Sequence, residues 1–334
     1  MRFGFSDTCL AHDPGDRHPE SPDRIRAVRR GLAREHAVRY VGADPLDPAV
    51  LATTHDPGYL EDLEAFCADG GGDWDPDTVA VAETWDAART SAGLAVDAAT
   101  AALAGADGRD TPFSLGRPPG HHAVADDAMG FCFLNNVAIA TDQALAADAV
   151  DRVAIVDWDV HHGNGTQAIF ADRAAVCYAS IHEAGLYPGT GAIEETGTGD
   201  GAGTTVNVPM PAGAGDAGYR HAIEDAVAPI VGRFDPDLVL VSAGFDPHRH
   251  DPISRTRVTT EGFGMLADRV RHIAADADAA LAFVLEGGYG LETLSAGIVE
   301  VNAIFDGRAP TVPEGDPDPG VVDAVAAVRD THGL

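Results

Sequence analysis

The stretch that most constrains the fold is residues 153–167, which read VAIVDWDVHHGNGTQ. It begins with a short apolar run, which is typical of a buried strand in a parallel sheet. Asp157, Asp159 and His161 follow at a spacing of two, so their side chains project to one side of an extended chain. Open α/β sheets bind ligands at the carboxyl ends of their strands. The sequence therefore predicts a parallel α/β sheet with a site at the end of this strand.

Asp159 and His161 are suited to hold Zn²⁺, which takes carboxylate oxygens and imidazole nitrogens as ligands. The alternative is a polar strand end whose histidines are only hydrogen-bonded, and the clustering of carboxylates with imidazole favours the metal. Asp246 follows the apolar strand LVLVSAG and is the natural third ligand, which leaves a fourth position for water. A two-metal site would want a second carboxylate where the chain has His248. The prediction is one zinc ion per chain.

Other chemically suggestive residues also follow predicted strands, which places them at the same edge of the sheet. His121 and His122 are a candidate acid–base pair, because hydrolysis needs a neutral imidazole to take a proton from water and return it to the leaving amine. A histidine paired with carboxylate keeps its cationic form, whereas one paired with an amide does not. Tyr289, after two glycines, either stabilises an oxyanion or lies on a surface turn. Phe131 and Tyr187 are either core aromatics or tunnel walls.

Strand and helix patterns alternate over most of the chain, which predicts one open, mostly parallel sheet with helices on both faces. No repeat or break in composition divides the sequence. We therefore expect a single domain over 1–334, with a Pro/Gly/Asp-rich loop at 308–318 before a short C-terminal helix. The four cysteines form no CxxC pair, which indicates buried core residues. Four further elements are predicted: a polar loop over 12–20, a loop over 70–76 with an exposed Trp74, a loop over 182–203, and a helix over 216–232.

The net charge is −31, and all 22 basic residues are arginine. Such acidity is explained by disorder, by an acidic surface for a cationic partner, or by a cytoplasm with molar salt. Periodic apolar segments argue against disorder, and acidic residues spread over the whole chain favour the halophilic interpretation. At about 1 M salt the Debye length is ~3 Å, so this charge would do little to steer a substrate.

The sequence also bears on location and partners. It contains no apolar run long enough to span a membrane and no apolar signal core at its start. We therefore expect a cytoplasmic protein that binds no membrane, and we expect no direct binding of nucleic acid.

The chain resembles the zinc-dependent histone deacetylase family, which includes acetylpolyamine amidohydrolases and acetoin-utilisation deacetylases. The resemblance covers nearly the whole chain and runs, in the family's order, through HPESPDRI, RPPGHHA, MGFCFLNNVAIA, VDWDVHHGNGTQ, SIHEAGLYPGTG, SAGFDPHRHDP and LEGGYG. The HHGNGTQ form is similar to the class II branch. The resemblance implies the arginase–deacetylase fold, a single α/β domain with a mostly parallel sheet of about eight strands.

The resemblance also implies roles for the predicted site residues. His122 would be the proton-transferring histidine and would be backed by Asn164, while His121 would be backed by Asp157. Tyr289 matches the tyrosine that stabilises the transition state, and its presence favours an active enzyme. Three positions match the zinc ligands of the family: Asp159, His161 and Asp246.

A second set of positions concerns the substrate and a structural potassium ion. The resemblance implies that Gly130, Phe131 and Tyr187 flank a tunnel for an acyl-lysine side chain, with Tyr187 where Phe is commoner. Asp75 lies where some members hold the substrate backbone. Ile253 stands where polyamine-selective members carry an acidic residue, which favours an acyl-lysine peptide or protein. The potassium ion would be bound through five positions: Asp157, Asp159, His161, Ser180 and Ile181.

The leading hypothesis is hydrolysis of an acetyl-lysine or other acyl-lysine amide through zinc-activated water, the histidine pair and the tyrosine. Deacetylation of a small amine, such as an acetylated polyamine, is the nearest alternative. His248 disfavours a two-metal ureohydrolase. The complete set of ligands, histidines and tyrosine disfavours a non-catalytic acyl-lysine binder. Acyl-chain preference, oligomeric state and the metal used in the cell are left open by the sequence.

Overall fold

A sheet of parallel strands forms the centre of the structure, a computed structural model that describes residues 1–15 and 17–334. The strands of the described part are β1 (Arg2–Gly4), β2 (Arg39–Val41), β3 (Gly71–Asp73), β4 (Val79–Val81), β5 (Pro112–Ser114), β6 (Val153–Asp157), β7 (Val176–Glu183), β8 (Thr205–Met210), β9 (Leu238–Ala243) and β10 (Ala280–Leu285). Eight of them form one sheet in the order β2-β1-β5-β10-β9-β6-β7-β8, and every neighbouring pair in it is parallel. The predicted α/β fold with one mostly parallel sheet is confirmed.

Helices cover both faces of this sheet. They are α1 (Asp23–Leu32), α2 (Pro48–Leu51), α3 (Pro57–Ala68), α4 (Thr84–Leu103), α5 (Asn136–Leu145), α6 (Asn164–Phe170), α7 (Asp216–Ala222), α8 (Ala228–Phe234), α9 (Thr260–Asp276), α10 (Leu291–Phe305) and α11 (Pro319–His332). Along β6, Ala154 and Val156 pack in a core with α1, α9 and α10, whereas Val153 and Ile155 pack with α4 and α5. Successive strand residues point to opposite faces, so the apolar run of β6 fills two cores.

The loop predicted over 70–76 is wrong in part, because β3 and β4 form a short antiparallel hairpin there. Trp74 is half-buried rather than exposed. Its ring packs edge-on against Tyr59 and Phe66, with centroids 5.9 Å and 5.2 Å away. Its Nε1–H donates a hydrogen bond to Asp127 Oδ1. The neighbours of Trp74 in sequence are polar, so the sequence did not indicate that its ring packs against α3.

Several other elements also differ from the prediction. The helix predicted over 216–232 is interrupted by a π-helical turn at Ile223–Val227 before it continues as α8. Pro229 lies in the first turn of α8 and has no N–H to donate to the preceding turn, which accounts for the wider winding. β7 continues through His182, so the loop predicted over 182–203 begins later. β2 and α2 are not predicted, because segments of three and four residues are too short to show a hydrophobic periodicity.

Among the described residues the four cysteines are buried and unpaired, which confirms that prediction. Residues 308–318 contain neither helix nor strand, and α11 packs Val321, Val325 and Val328 into the core. Within the described ranges, no helix has both the length and the apolar character needed to cross a membrane.

Candidate active site

The candidate site lies at the carboxyl edge of the central strands β6, β9 and β10, which are neighbours in the sheet. β6 and β9 end level with one another, so the loops that follow them start side by side. Asp159 and His161 come from the loop after β6, Asp246 from the loop after β9, and Tyr289 from the loop after β10. The parallel sheet thus brings three distant parts of the chain to one crevice.

Asp159, His161 and Asp246 form a group suited to hold a metal ion. Their candidate ligand atoms all lie within 4.8 Å of one another. His161 Nδ1 is 3.0 Å from Asp159 Oδ1 and 3.2 Å from Asp246 Oδ2. Apart from this 3.2 Å approach of His161 Nδ1, the buried Asp246 Oδ2 has no hydrogen-bond partner among the described residues, and a buried carboxylate oxygen needs such a cationic neighbour or a metal ion. The two carboxylates and the imidazole are a donor set that fits Zn²⁺.

Glycine backbone packs directly against these carboxylates. A Cβ added to Gly287 would lie 2.1 Å from Asp246 Oδ2 and 2.5 Å from Asp159 Oδ2. A Cβ added to Gly244 would lie 2.1 Å from Asp159 Oδ2. The Gly287 N–H also donates a hydrogen bond to Asp159 Oδ2 at 2.7 Å. Only glycine permits this approach, and the main chain therefore fixes the carboxylates in place.

The charges within this group are strongly coupled. Burial alone would lower the pKa of His161, but Asp159 and Asp246 raise it to about 10. Burial, together with the neighbouring Asp159, raises the pKa of Asp246 to about 7. Burial opposes the ionisation of Asp159, yet His121 and His161 hold its pKa below the ordinary range. A metal ion would displace the proton of His161, so metal binding in this site should release protons.

His121 and His122 lie side by side, with ring centroids 4.1 Å apart, and have different partners. His121 Nδ1 is 3.0 Å from Asp157 Oδ2, and His122 Nδ1 is 2.8 Å from Asn164 Oδ1. Burial alone would lower the pKa of both rings, but nearby carboxylates raise that of His121 to about 10. Burial and the cationic neighbours hold the pKa of His122 well below its ordinary value. At neutral pH the first ring is cationic and the second neutral.

Two buried residues that support the histidine pair are missed by sequence reasoning. The Tyr178 hydroxyl donates to Asp157 Oδ2 at 2.9 Å. Glu286 Oε2 accepts the N–H groups of Gly120 at 2.8 Å and His121 at 3.2 Å, and burial raises the pKa of Glu286 to about 7. Tyr178 is hidden within an apolar strand. Glu286 is the first residue of the EGGY motif, so the motif could have indicated it as a site residue. Only Tyr289 of this motif is predicted.

Tyr289 is partly buried and packs edge-on against Phe131, with ring centroids 5.8 Å apart. The guanidinium carbon of Arg24 lies 5.0 Å from the centroid of the Tyr289 ring, and Arg24 Nε donates to Gly288 O at 2.7 Å. Asp251 Oδ2 accepts the Tyr289 N–H at 2.7 Å. Burial raises the pKa of Tyr289 well above its ordinary value, so the phenol keeps its proton and can donate it in a hydrogen bond. Neither Arg24 nor Asp251 is predicted as a site residue.

A buried ion network lies behind this tyrosine. Glu20 accepts hydrogen bonds from Arg117 Nε at 2.9 Å, Arg117 Nη2 at 2.6 Å and Arg24 Nη1 at 3.1 Å. All three side chains are fully buried, so the polar loop predicted over 12–20 ends in a buried carboxylate. Burial opposes the ionisation of Glu20, but the two guanidinium groups hold its pKa well below the ordinary range. The HPESPDRI motif contains two of these residues, and only tertiary contacts reveal their partner.

Gly130 and Tyr187 lie against His122, and Phe131 packs against Tyr289. The Tyr187 ring lies edge-on to His122, with ring centroids 5.1 Å apart, and is 36% exposed, so it is not a core aromatic; its role as a tunnel wall stays a prediction. Gly130 has φ +55°, and a Cβ there would lie 2.5 Å from His122 Cδ2. Phe131 also adopts a positive φ, of 68°, which costs a non-glycine residue about 1–2 kcal/mol. In this backbone conformation the Phe131 ring packs against the Tyr289 ring.

Asp75 and its neighbours form the turn between β3 and β4. Asp75 Oδ1 accepts the N–H groups of Asp77 at 2.9 Å and Thr78 at 2.6 Å, so this oxygen is used within the turn. Thr78 Oγ1 in turn accepts the Phe131 N–H at 3.2 Å. The role of Asp75 in holding a substrate backbone stays a prediction.

Three more predicted residues, Ser180, Ile181 and Ile253, lie on β7 and in the loop after β9. Ser180 and Ile181 are buried in β7, and Ser180 is level with Asp157 of β6. The Ser180 hydroxyl is 2.9 Å from His182 Nδ1. The potassium site stays a prediction. Ile253 is half-buried in the loop after β9, and its role in substrate choice also stays a prediction.

This group of carboxylates, histidines and tyrosine at the carboxyl edge of an all-parallel α/β sheet has the groups that metal-assisted hydrolysis would need. Comparison with known proteins identifies the family. Residues 18–305 match the family model of the histone deacetylase domain. The structure is similar to the crystal structure of the HDA15 HD domain, with a TM-score of 0.91, 35% identity, and coverage of 99% of this chain and 96% of that one.

Curated relatives agree with that match. The chain is 38% identical to the histone deacetylase-like amidohydrolase of Pseudomonas aeruginosa, over 86% of this chain and 81% of that protein. It is 44% identical to the acetylpolyamine amidohydrolase of Burkholderia pseudomallei, over 64% of this chain and 60% of that protein. The chain therefore belongs to the histone deacetylase family and is a hydrolase of that family.

Proposed function

We propose that the protein hydrolyses the amide of acetyl-lysine, or of another acyl-lysine, in a protein or peptide. The observation that carries this proposal is the placement of three kinds of group in one crevice. These are a metal-ligand set with a buried carboxylate oxygen, a histidine pair of which one ring is neutral, and a protonated tyrosine. Amide hydrolysis needs one group of each kind.

Asp159, His161 and Asp246 would hold one Zn²⁺, which when bound would polarise the amide carbonyl and activate water. His122 is the general base, because Asn164 engages its Nδ1 and leaves Nε2 for proton transfer. The same ring then gives the proton to the departing lysine amine. Tyr289 donates a hydrogen bond to the oxygen that becomes negative as the amide is attacked.

The choice of substrate rests on Ile253, whose apolar side chain offers no charge to a second ammonium group. This favours acyl-lysine in a peptide over an acetylated polyamine. Similarity to an acetylpolyamine amidohydrolase supports the second candidate function, deacetylation of a small acetylated amine.

The test is release of acetate from an acetyl-lysine peptide by zinc-loaded protein in molar KCl, with acetylated polyamines assayed in parallel. We expect turnover of the peptide to exceed that of the polyamines. Turnover of polyamines alone would favour the second candidate. Absence of turnover with zinc bound would contradict both and favour the acyl-lysine binder or hydrolysis of an unfamiliar acyl amide.

Zinc is expected to stabilise the fold. A free zinc concentration of about 100 times Kd should add ~2.7 kcal/mol to the free energy of unfolding, since the unfolded chain has no assembled site. The measurement is thermal unfolding of metal-free protein titrated with zinc, together with metal analysis that should give one ion per chain.

Asp246→Asn should abolish most of this zinc-dependent stabilisation, whereas Asp225→Asn, at a surface carboxylate, should retain it. An equal zinc response in both variants, or two zinc ions per chain, would contradict the assigned ligands.

We also propose that the protein works in the molar-salt cytoplasm of a halophile. Its net charge is −31, so its acidic side chains repel one another. This repulsion acts over a Debye length of about 10 Å at 0.1 M salt but of only ~3 Å at 1 M. The thermal midpoint should therefore fall steeply as KCl is lowered from about 1 M to 0.1 M. A midpoint independent of KCl would contradict this proposal.

The potassium site proposed at Asp157, Asp159, His161, Ser180 and Ile181 can be separated from general screening. NaCl at the same ionic strength supplies the screening without potassium, so KCl should give the higher midpoint. Equal midpoints in the two salts would contradict a specific potassium site.

A further inference from the structure

One buried carboxylate outside the metal-ligand and histidine groups joins two loops at the site. Asp251, in the loop after β9, is 7% exposed. Its Oδ2 accepts the N–H groups of Tyr289 at 2.7 Å and Gly290 at 3.0 Å, and its Oδ1 accepts that of Ile253 at 3.2 Å. Its own N–H donates to His248 O at 2.8 Å. One side chain therefore connects the tyrosine loop with the loop that carries Ile253.

The peptide unit between Gly288 and Tyr289 is held at both ends by opposite charges. Arg24 donates a hydrogen bond to its carbonyl oxygen at 2.7 Å, and Asp251 accepts its N–H at 2.7 Å. Hydrogen bonds to charged groups are roughly twice as strong as neutral ones. Gly288 has φ +118°, a conformation open to glycine, so the backbone itself imposes little restraint there. The orientation of this peptide, and with it the direction of the phenol, depends on the two charged side chains.

We propose that Asp251 is a positioning residue that fixes Tyr289 for catalysis and couples it to the loop of Ile253. This inference rests on the proposed function, because it assumes that the Tyr289 hydroxyl acts on the substrate. A displacement of about 1 Å in a catalytic group can cost ~10²-fold in rate. Without the Asp251 carboxylate, only the hydrogen bond from Arg24 to Gly288 O would restrain the Gly288–Tyr289 peptide unit. The peptide unit could then change its orientation about this single contact.

The test compares Asp251→Ala with a matched control elsewhere in the fold. Asp216 is also a carboxylate that joins two segments, since it accepts the N–H and hydroxyl of Thr259 at 2.7 Å each. We expect Asp251→Ala to lower kcat by about 10–100-fold with little change in KM, which is typical of residues that orient catalytic groups. Asp216→Ala should leave kcat within about threefold of wild type, although it removes a comparable structural contact.

Two further variants isolate the action through Tyr289. Asp251→Asn keeps one oxygen that can accept both N–H groups of the tyrosine loop, and it should retain most of kcat. Its amide NH₂ would face the N–H of Ile253, so it should change the ratio of peptide to polyamine turnover instead. In a Tyr289→Phe background, Asp251→Ala should cost less than about twofold more, because residues that act through one group are not additive. Fully additive losses would overturn the inference.

A readout independent of activity is hydrogen exchange in the metal-free protein. The segment 287–290 should exchange faster in Asp251→Ala than in wild type or Asp216→Ala, because the carboxylate protects two of its amides. If Asp251→Ala does not fold, Asp251→Ser makes the same test. Exchange at the wild-type rate would overturn the inference itself. Wild-type protein without activity on any acetylated amine would instead overturn the proposed function.

Discussion

Replacing Tyr289 with Phe is expected to lower kcat for acetyl-lysine hydrolysis by about 10²–10³-fold, the usual cost of losing one oxyanion donor. The substitution removes only the hydroxyl, so the packing of the ring against Phe131 and beneath Arg24 should persist. KM should change little, because the hydrogen bond strengthens as negative charge develops on the oxygen rather than when the substrate binds. Steady-state kinetics of the zinc-loaded variant, with its thermal midpoint, measure both effects.

Tyr40→Phe provides the matched control. Tyr40 is an exposed tyrosine on β2 that packs against Phe3 and Phe5, far from the crevice in the sheet order. It should leave kcat unchanged. Full turnover by the Tyr289 variant, or equal losses in both variants, would contradict the role assigned to Tyr289.

The second large effect is on stability. Glu20→Ala should lower the free energy of unfolding by about 3–5 kcal/mol, because it leaves the guanidinium groups of Arg24 and Arg117 buried without a counter-charge. Denaturant unfolding at pH 7 in molar KCl measures this difference. Because Arg24 also holds Gly288, the variant should lose activity as well as stability.

The effect of Glu20 should depend on pH in a defined direction. The folded-state pKa of Glu20 lies well below its unfolded value near 4.5. Its charged form therefore stabilises the fold at every pH above the unfolded value, and this stabilisation is lost as the pH falls through the folded pKa. The difference between wild type and Glu20→Ala should be full at pH 7 and shrink only in strong acid.

An exposed ion pair on α1, the helix that carries Arg24, provides the comparison for Glu20. Asp23 and Arg26 lie 3.0 Å apart at the surface of α1. Asp23→Asn should cost less than about 1 kcal/mol, because exposed pairs gain little over their interaction with water. Similar losses from the two substitutions would show that burial of the Glu20 network contributes nothing special.

The fold class and the close placement of Asp159, His161 and Asp246 could be predicted because both follow from local sequence patterns. The apolar run of β6 indicates burial on two faces, and the spacing of Asp157, Asp159 and His161 places their side chains on one side of the strand end. Asp246 was found by the same reasoning applied to β9. Such patterns state which residues end a strand, and parallel topology then brings those ends together.

Three supporting residues, Asp251, Arg24 and Glu286, were missed because they act on main-chain atoms of distant segments. Asp251 and Arg24 contact the backbone of residues 288–290, and Glu286 contacts that of residues 120–121. No side-chain pattern records such a contact. The burial of Glu20 was missed for a related reason, since a charged residue is buried only where its partners meet it in three dimensions.

The pairing of β6 with β9 has a consequence for how the chain reaches its active form. Residues 153–157 pair with 238–242, so a long intervening segment must close before Asp159 and His161 meet Asp246. Long-range parallel pairing is slow, because the entropy of loop closure is lost before the contacts form. Binding of metal should therefore not initiate the folding of this chain. We expect zinc to bind only after the middle of the sheet has assembled, so its uptake during refolding would time that late event.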